Sequence, residues 1–377
     1  MQTSAVPKDL VLVGGGHAHV HVLASLRARP EPGVRVTLVS RDALTPYSGM
    51  LPGLIAGRYG PEEAQIDLGR LADACGARFV VAEAVGLDPE ARRLVLRDGA
   101  PLRYDLISLD TGSTPALDVP GAAAHALPVK PVAPFLVQLD ALLARRGDLR
   151  LAVVGGGAGG VETVLSIAER AARARPGRAT SLALVTRGPL ARAFNARARR
   201  LLRAALERHR IAVLEHAEVV RVEADRVVCR DGREVACDHA LWAAWAGAPG
   251  WLAATGLALD ERGFVAVEPT LCSVSHRHVF AAGDVAAVLA HPRPKAGVYA
   301  VRQGPPLVAN LRRALRGEPL RPFTPQRTAL ALVGTGEGRA AAVRGPLALE
   351  GRLVWRVKEA IDRRWIRRYQ DLQPIDM

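Results

Sequence analysis

The chain has 377 residues, 49% of them hydrophobic, and a formal net charge of +14, long enough for two or three domains with a sizeable core. Its lysines are four, Lys8, Lys130, Lys295 and Lys358, so the basicity is almost all arginine. With only 4% aromatics and no recognisable nucleic-acid module, that excess reads as compositional bias, and no nucleic acid is expected as a partner. Four widely spaced cysteines, Cys75, Cys229, Cys237 and Cys272, contain no C-x-x-C; this argues against a zinc ribbon or a dithiol and for reduced thiols in a cytoplasmic protein.

The first strand pattern opens near Lys8, which leaves no room for a signal peptide. In DLVLVGGGHAHVHV (Asp9–Val22) an apolar run meets Gly14, Gly15 and Gly16 and then a helix start. A helix N-terminus offers free N–H groups and partial positive charge, which suit a pyrophosphate. Gly14 allows the tight turn and Gly16 a close backbone approach, but the third fingerprint position is His19, so the motif is degenerate. His17 and His21, four apart, match a zinc spacing without a third ligand, and no metal is expected.

Val34–Ser40 reads as the second strand, which dinucleotide-binding units usually close with an acid for the ribose; here Ser40 and Arg41 stand instead. Thr45–Gly57, TPYSGMLPGLIAG, is too rich in Gly and Pro for regular structure. Ile66–Cys75 is amphipathic, Val80–Leu109 reads as short strands with a turn at Asp98-Gly99, and Thr111-Gly112-Ser113 closes the first half.

Lys130–Arg146 reads as a linker and helix leading to a second glycine turn, RLAVVGGGAGGVE (Arg150–Glu162), in which Gly155, Gly157 and Gly160 complete G-x-G-x-x-G. Its second strand ends at Thr186-Arg187, again without an acid; Arg187 suits a 2′-phosphate, so NADPH is not strongly excluded. Glu162 lies in the first helical turn, where the dipole alone favours a carboxylate by about 0.3–1 kcal/mol. Arg192–Arg210 reads as a basic helix with a solvated face. Ala240–Leu259 is long and uncharged, but Pro249 and Gly250 interrupt it, so strand plus loop is expected there, not a membrane span.

HVFAAGDV (His278–Val285) reads as a buried strand ending in Gly283-Asp284, and Gly297–Leu315 as a helix. From Phe323 a small unit of strands leads to a helix over about Val354 to Tyr369. On it Val354, Val357, Ile361, Trp365 and Tyr369 share one face, with Trp355 and Ile366 beside them, and Arg356, Lys358, Arg363, Arg364, Arg367 and Arg368 crowd the rest. A basic helix with tryptophan on its apolar side suits peripheral contact with anionic lipid; packing on the chain's own core, or on a second copy in a homodimer, competes with that reading.

Segments recur in order. RVTLVSRDAL (Arg35–Leu44) echoes SLALVTRGPL (Ser181–Leu190), RLVLRDG (Arg93–Gly99) echoes RVVCRDG (Arg226–Gly232), and YDLISLDTGSTP (Tyr104–Pro115) echoes CDHALWAAWAGAP (Cys237–Pro249). With the two glycine turns, these indicate two dinucleotide-binding domains of common design.

Two such units, a T-G-S between them and an apolar strand into A-A-G-D resemble the two-dinucleotide-binding flavoproteins of the pyridine nucleotide-disulfide oxidoreductase superfamily. Thr45–Gly57, Lys130 in PVKP and PKAGVYAVRQGP (Pro294–Pro305) are similar to its type II NADH dehydrogenase and sulfide:quinone oxidoreductase branch. Within it, GGGHAHVHVL and TPYSGMLPGLIAG most resemble the flavoprotein module found fused to selenophosphate synthetase. The resemblance implies an α/β fold of two Rossmann-like domains, the second inserted in the first, plus a small C-terminal α+β unit. Residues 1–117 and 250–318 would bind FAD, 118–249 NAD(P)H, and 319–377 would form the C-terminal unit with its amphipathic helix.

By the same resemblance Gly14, Gly15, Gly16, His17, Ser40, Arg41, Pro46, Gly49, Thr111, Gly112, Gly283 and Asp284 line FAD. Asp284 would accept a ribityl hydroxyl, the alternative being an N-cap; Gly49 and Gly53 would pass close to the isoalloxazine or simply make turns. Gly155, Gly157, Gly160, Thr186 and Arg187 would hold NAD(P)H, and Glu162 would lie near nicotinamide and flavin. Lys130 and Lys295 would stabilise reduced flavin at its N1–C2=O edge, or else make surface salt bridges. Two departures stand out: Ser40–Gly57 lacks the dithiol of the disulfide reductases, and no cysteine pair matches that of the sulfide:quinone oxidoreductases. The expectation is an FAD-dependent NAD(P)H oxidoreductase serving a small-molecule acceptor, quinone-like or chalcogen, without protein thiols. The fusion resemblance adds a reductase supplying reduced selenium or sulfur; a redox-sensing flavoprotein of low turnover is the remaining alternative.

Overall fold

The computed structural model describes residues 7–244 and 246–373. Leu10–Val13 are buried on every side, as the central strand of a parallel sheet covered on both faces requires. Their strand, Lys8–Val13, pairs in parallel with Val34–Ser40 on one side and Leu106–Leu109 on the other, with Leu10 opposite Val36 and Leu106. Arg78–Val81 extends one edge and Val279–Ala281 the other. That last strand returns from far along the chain to complete the first five-stranded sheet.

The second sheet repeats the design. Leu149–Val154 is central, Thr180–Val185 and His239–Trp242 flank it, and Ala212–Leu214 and Ala126–Pro128 form the edges, all parallel. Each sheet carries a three-stranded antiparallel meander: Ala84–Asp88, Arg93–Leu96 and Leu102–Arg103 for the first, Val219–Val222, Arg226–Cys229 and Glu234–Ala236 for the second. The two R-D-G echoes are the second strand and turn of each, with Gly99 and Gly232 at φ 108° and 86°, a region open to glycine at little cost. The two passages between the units, Thr114–Pro115 and Ala246–Gly247, run antiparallel and pair.

The amphipathic stretch Ile66–Cys75 divides into a strand, Gln65–Asp67, and a helix, Leu68–Ala74, capped by the Asp67 carboxylate accepting from Arg70 N. The uncharged stretch 240–259 is strand, loop and a 3-10 turn, Gly250–Ala254; among the described residues no helix is long and apolar enough to cross a membrane. The basic helix spans Ala196–Arg208 and is more than a solvated face: Ala198, Leu202, Ala205 and Leu206 are buried, and Arg208 pairs with Glu350 at 3.0 Å.

The C-terminal unit is an antiparallel sheet, Ala331–Gly336, Arg339–Arg344 and Leu347–Gly351, followed by the helix Arg352–Gln370. The sheet lies on the helix Ala158–Ala174 of the second unit, held where Glu337 N donates to Glu169 at 2.9 Å and Arg58 pairs with the same carboxylate at 2.6 Å. The C-terminal helix corrects the single-face expectation. Val354, Trp355, Ile366 and Tyr369 pack inward, Leu353, Val357 and Ile361 face outward, and Lys358, expected among the solvated arginines, is buried with Asp362. The helix turns its mixed face to the core because the Lys358–Asp362 pair, at 2.6 Å, neutralises itself there.

Candidate active site

At the first glycine turn the backbone of Gly14, at φ 95°, abuts the loop after Leu109, so a side chain there would run into the Asp110 carbonyl. A side chain at Gly16 would run into the Asp110 carboxyl, and one at Gly15 into Leu68. Asp110 Oδ2 accepts from Ala18 N at 2.9 Å and His19 N at 3.1 Å, at the N-terminus of the helix His17–Ala28. Burial pushes its carboxyl up to about 7; the two amides oppose that shift and Asp284 adds to it. His19 shows why the third fingerprint glycine is dispensable. Its Nδ1 bonds the Gly14 carbonyl and its Nε2 the Ser108 hydroxyl, each at 2.8 Å, so the buried imidazole ties helix to sheet.

Two features at this turn fit FAD. The Thr111 hydroxyl is buried and without a protein partner, a donor left for a ligand. Gly112, at φ 72°, faces open space. Beyond them Ser113 Oγ donates to Asp284 at 3.5 Å and Lys130 Nζ stands 3.7 Å from the same carboxylate. Gly283 N donates to the buried Gln303 at 2.6 Å, and Asp284 lies in the 3-10 turn Gly283–Val285, not at the N-cap of a longer helix. Lys295 differs from Lys130: it donates to the Ala286 carbonyl at 2.6 Å, lies 3.9 Å over the Phe264 ring, and burial lowers it to about 8.

The remaining first-unit residues have local partners. Ser40 Oγ donates to Asp42 O at 2.9 Å, Arg41 pairs with the Asp42 carboxylate at the surface, and Pro46 pairs with Gln65 in a short ladder. Gly53 is required by Tyr59, whose ring fills the place of a side chain. His17 Nε2 lies 3.0 Å from Ser48 Oγ, and its ring leans on Tyr47 and Trp365. Burial, with Lys130 adding, lowers it to about 4, which keeps it neutral. His21 instead meets the Tyr369 hydroxyl at 3.3 Å, so the two histidines find separate partners.

At the second turn Gly155 N donates to Val185 O at 2.9 Å, Gly160 leaves no room for a side chain against the Gly155 carbonyl, and Gly157 faces open space. Thr186 is buried against Gly156, with Arg187 directly after it. Glu162, from the same helix, is not at the turn itself. Its Oε1 accepts from Gly334 N at 2.7 Å, in the C-terminal sheet. Burial raises it to about 7, opposed by Lys358 and by the Gly334 amide.

Lys358 and Asp362, like Asp110, are residues that sequence reasoning missed. Lys358 Nζ donates to Asp362 and to the Gly49 carbonyl, and Tyr47 bonds Asp362 and stacks on Trp365 at 4.0 Å. Gly49 is required here, because a side chain would run into Asp362 and Tyr47. The one available signal was that Lys358 is a lysine among arginines. Glu162, Lys358, Asp362 and Tyr47 thus meet where both units and the C-terminal helix converge. The four cysteines are unpaired, and burial pushes the Cys237 and Cys272 thiols up to about 11.

Known proteins share this frame. The sulfide:quinone oxidoreductase of Aquifex aeolicus superposes with a TM-score of 0.80 at 18% identity, over 97% of this chain and 92% of that one. The reduced CoADR-RHD protein of Bacillus anthracis gives 0.75 at 20% identity, over 93% and 63%, and a NAD-dependent persulfide reductase of A. fulgidus 0.73 at 19%, over 89% and 64%. By sequence, the Aquifex aeolicus sulfide-quinone reductase is 26% identical over 105 residues, 28% of this chain and about a quarter (24%) of that protein. The family profile described as pyridine nucleotide-disulphide oxidoreductase matches residues 8–304, well over half of the chain. The chain therefore belongs to the pyridine nucleotide-disulphide oxidoreductases, a family of FAD-dependent NAD(P)H oxidoreductases.

Proposed function

We propose that the chain moves hydride from NAD(P)H at the second glycine turn to FAD at the first, and passes the electrons to a quinone-like or chalcogen acceptor without its own thiols. In this reading residues 1–117 and 250–318 hold FAD, 118–249 hold the nicotinamide nucleotide, and 319–377 form the C-terminal unit with its amphipathic helix. The observation that carries it is Glu162: a carboxyl that desolvation raises to about 7, on the nucleotide-binding helix, bonded to Gly334 N at the meeting point of all three parts. Bound FAD supplies a two-electron store that takes a hydride and gives electrons up singly or in pairs. Around it, Thr111 offers its unpartnered hydroxyl and Asp284, steadied by Lys130 and Ser113, an acceptor. Glu162 exchanges a proton near neutral pH, with Lys358 and Asp362 fixing its field.

Two finer points belong to the proposal. The phrases GGGHAHVHVL and TPYSGMLPGLIAG favour the chalcogen side, a supply of reduced selenium or sulfur. The outward stripe Leu353, Val357 and Ile361, set among Arg352, Arg356 and Arg364, supports peripheral contact with an anionic membrane face from the cytoplasmic side. The test is anaerobic titration with NADH and NADPH while the flavin spectrum is followed, then addition of quinones, selenite or polysulfide. Rapid bleaching and reoxidation by one class names the acceptor; a long-lived reduced form with every acceptor indicates a sensor; protein that neither carries nor takes up FAD refutes the reading.

A further inference from the structure

We propose that Asp110 is a cofactor-binding residue that carries a proton while FAD is bound, so that loading FAD takes one proton from solution. This rests on the FAD reading of the first glycine turn. Asp110 lies behind that turn at 2% exposure, wedged between Gly16 and Gly283, where a side chain at either would run into its carboxyl. It already accepts the N–H groups of Ala18 and His19, two of the free donors of the helix that faces the pyrophosphate. A pyrophosphate diester carries two negative charges at neutral pH, and an ionised Asp110 would add a third at the same helix end, out of water, where like charges repel strongly.

No neighbouring group neutralises that charge. The helix His17–Ala28 contributes His19, whose amide Asp110 accepts, and His17, one residue before Ala18, both held neutral by burial. Along its own segment the polar side chains are Ser108, in the strand Leu106–Leu109, and Thr111 and Ser113, in the loop after it. The turn Gly283–Val285 contributes Asp284, a second acid, whose nearby cations are Lys130 at 3.7 Å and, further off, Lys295; the helix Gly297–Arg316 contributes Gln303, spent on Gly283 N. No cation is among the partners of Asp110 in the described residues. The neutral acid resolves the conflict. Its Oδ2 keeps both N–H bonds, and its proton sits on Oδ1, turned toward Gly283. The balance is Asp110 carboxylate plus FAD plus one proton giving Asp110 carboxylic acid with FAD bound, with no redox change.

The experiment is calorimetric titration of full-length, flavin-depleted protein with FAD between pH 6 and 9.5, in buffers of different ionisation enthalpy. The expected result is about one proton taken up at pH 8.5 and a Kd that rises close to tenfold per pH unit above about 7. Asp110→Asn keeps the shape and both N–H bonds, and its Kd is expected to be flat with pH and without proton uptake. That variant separates Asp110 from Lys295, which titrates in the same range. Should it fail to fold, infrared difference spectra of the wild-type holoprotein with isotope-labelled aspartate at pH 8.5 must show a protonated carboxyl band. FAD binding without proton uptake, uptake that persists in Asp110→Asn, or absence of the band overturns the inference and leaves the FAD reading intact; no FAD binding at any pH overturns both.

Discussion

Glu162 links stability to chemistry through one proton. Its carboxyl ionises at 4.5 when unperturbed and at about 7 in the native chain. Between those values the folded protein holds a proton that the unfolded chain has lost, so this contribution is fullest below 4.5 and falls away as pH rises through 7. Glu162→Gln keeps an oxygen for Gly334 N but cannot ionise. We expect its unfolding midpoint to decline less between pH 5 and 8 than that of the wild type, its flavin content to be unchanged, and its NAD(P)H-dependent turnover to fall by roughly 10²–10⁴. Turnover within twofold of wild type would remove Glu162 from the proton path. Asp284→Ala should act differently, lowering flavin occupancy in purified protein, because Lys130 and Ser113 lose their shared partner there. Glu162 and Asp284 were visible in the sequence because each follows a glycine motif. Asp110 was not, since an acid at the end of a strand looks the same whether it is solvated or buried with a proton.

At the scale of an element, the C-terminal helix shows how far periodicity reaches. The helix itself and its amphipathic character were legible, but two stripes run one residue apart: Val354, Lys358, Asp362 and Ile366, and Leu353, Val357 and Ile361. Apolarity alone selects the second as the inner face. The fold selects the first, because an i,i+4 ion pair buries at little net charge and Lys358 also finds the Gly49 carbonyl. Removing one partner leaves a buried charge, so Lys358→Met should cost about 3–5 kcal/mol, read as a drop in denaturation midpoint; truncation after Gly351 should unfold the protein. Replacing Leu353, Val357 and Ile361 by Gln should spare stability. If the outward stripe meets lipid, that triple variant loses co-sedimentation with anionic liposomes, and wild-type binding weakens with salt, each basic residue near the surface being worth about 1 kcal/mol. Wild-type protein that stays in the supernatant with anionic liposomes at low salt would rule that contact out.

Across the whole molecule, the doubled design follows from the sequence, because strand, glycine turn and meander recur in order and backbone chemistry forces each repeat to the same local answer. What the echoes cannot supply is the third body: the C-terminal sheet meets the second unit through Glu162 and Glu169, and the C-terminal helix meets the first through Gly49, all contacts between residues far apart in the chain. The same separation bears on the thiols. Cys229 and Cys237 sit in the core beneath the second meander, Cys272 packs in the first unit's core, and Cys75 ends the helix Leu68–Ala74, four free sulfurs in three places. Burial raises all four, most clearly Cys237 and Cys272, so little thiolate exists at neutral pH, and the thiolate is the reactive form. Changing all four to Ala should therefore lower stability by about 1 kcal/mol per buried site and leave NAD(P)H-to-dye turnover within a few-fold of wild type. A single Cys→Ala change that abolishes flavin reduction or acceptor turnover, in protein that stays folded and yellow, would put a thiol back into the electron path.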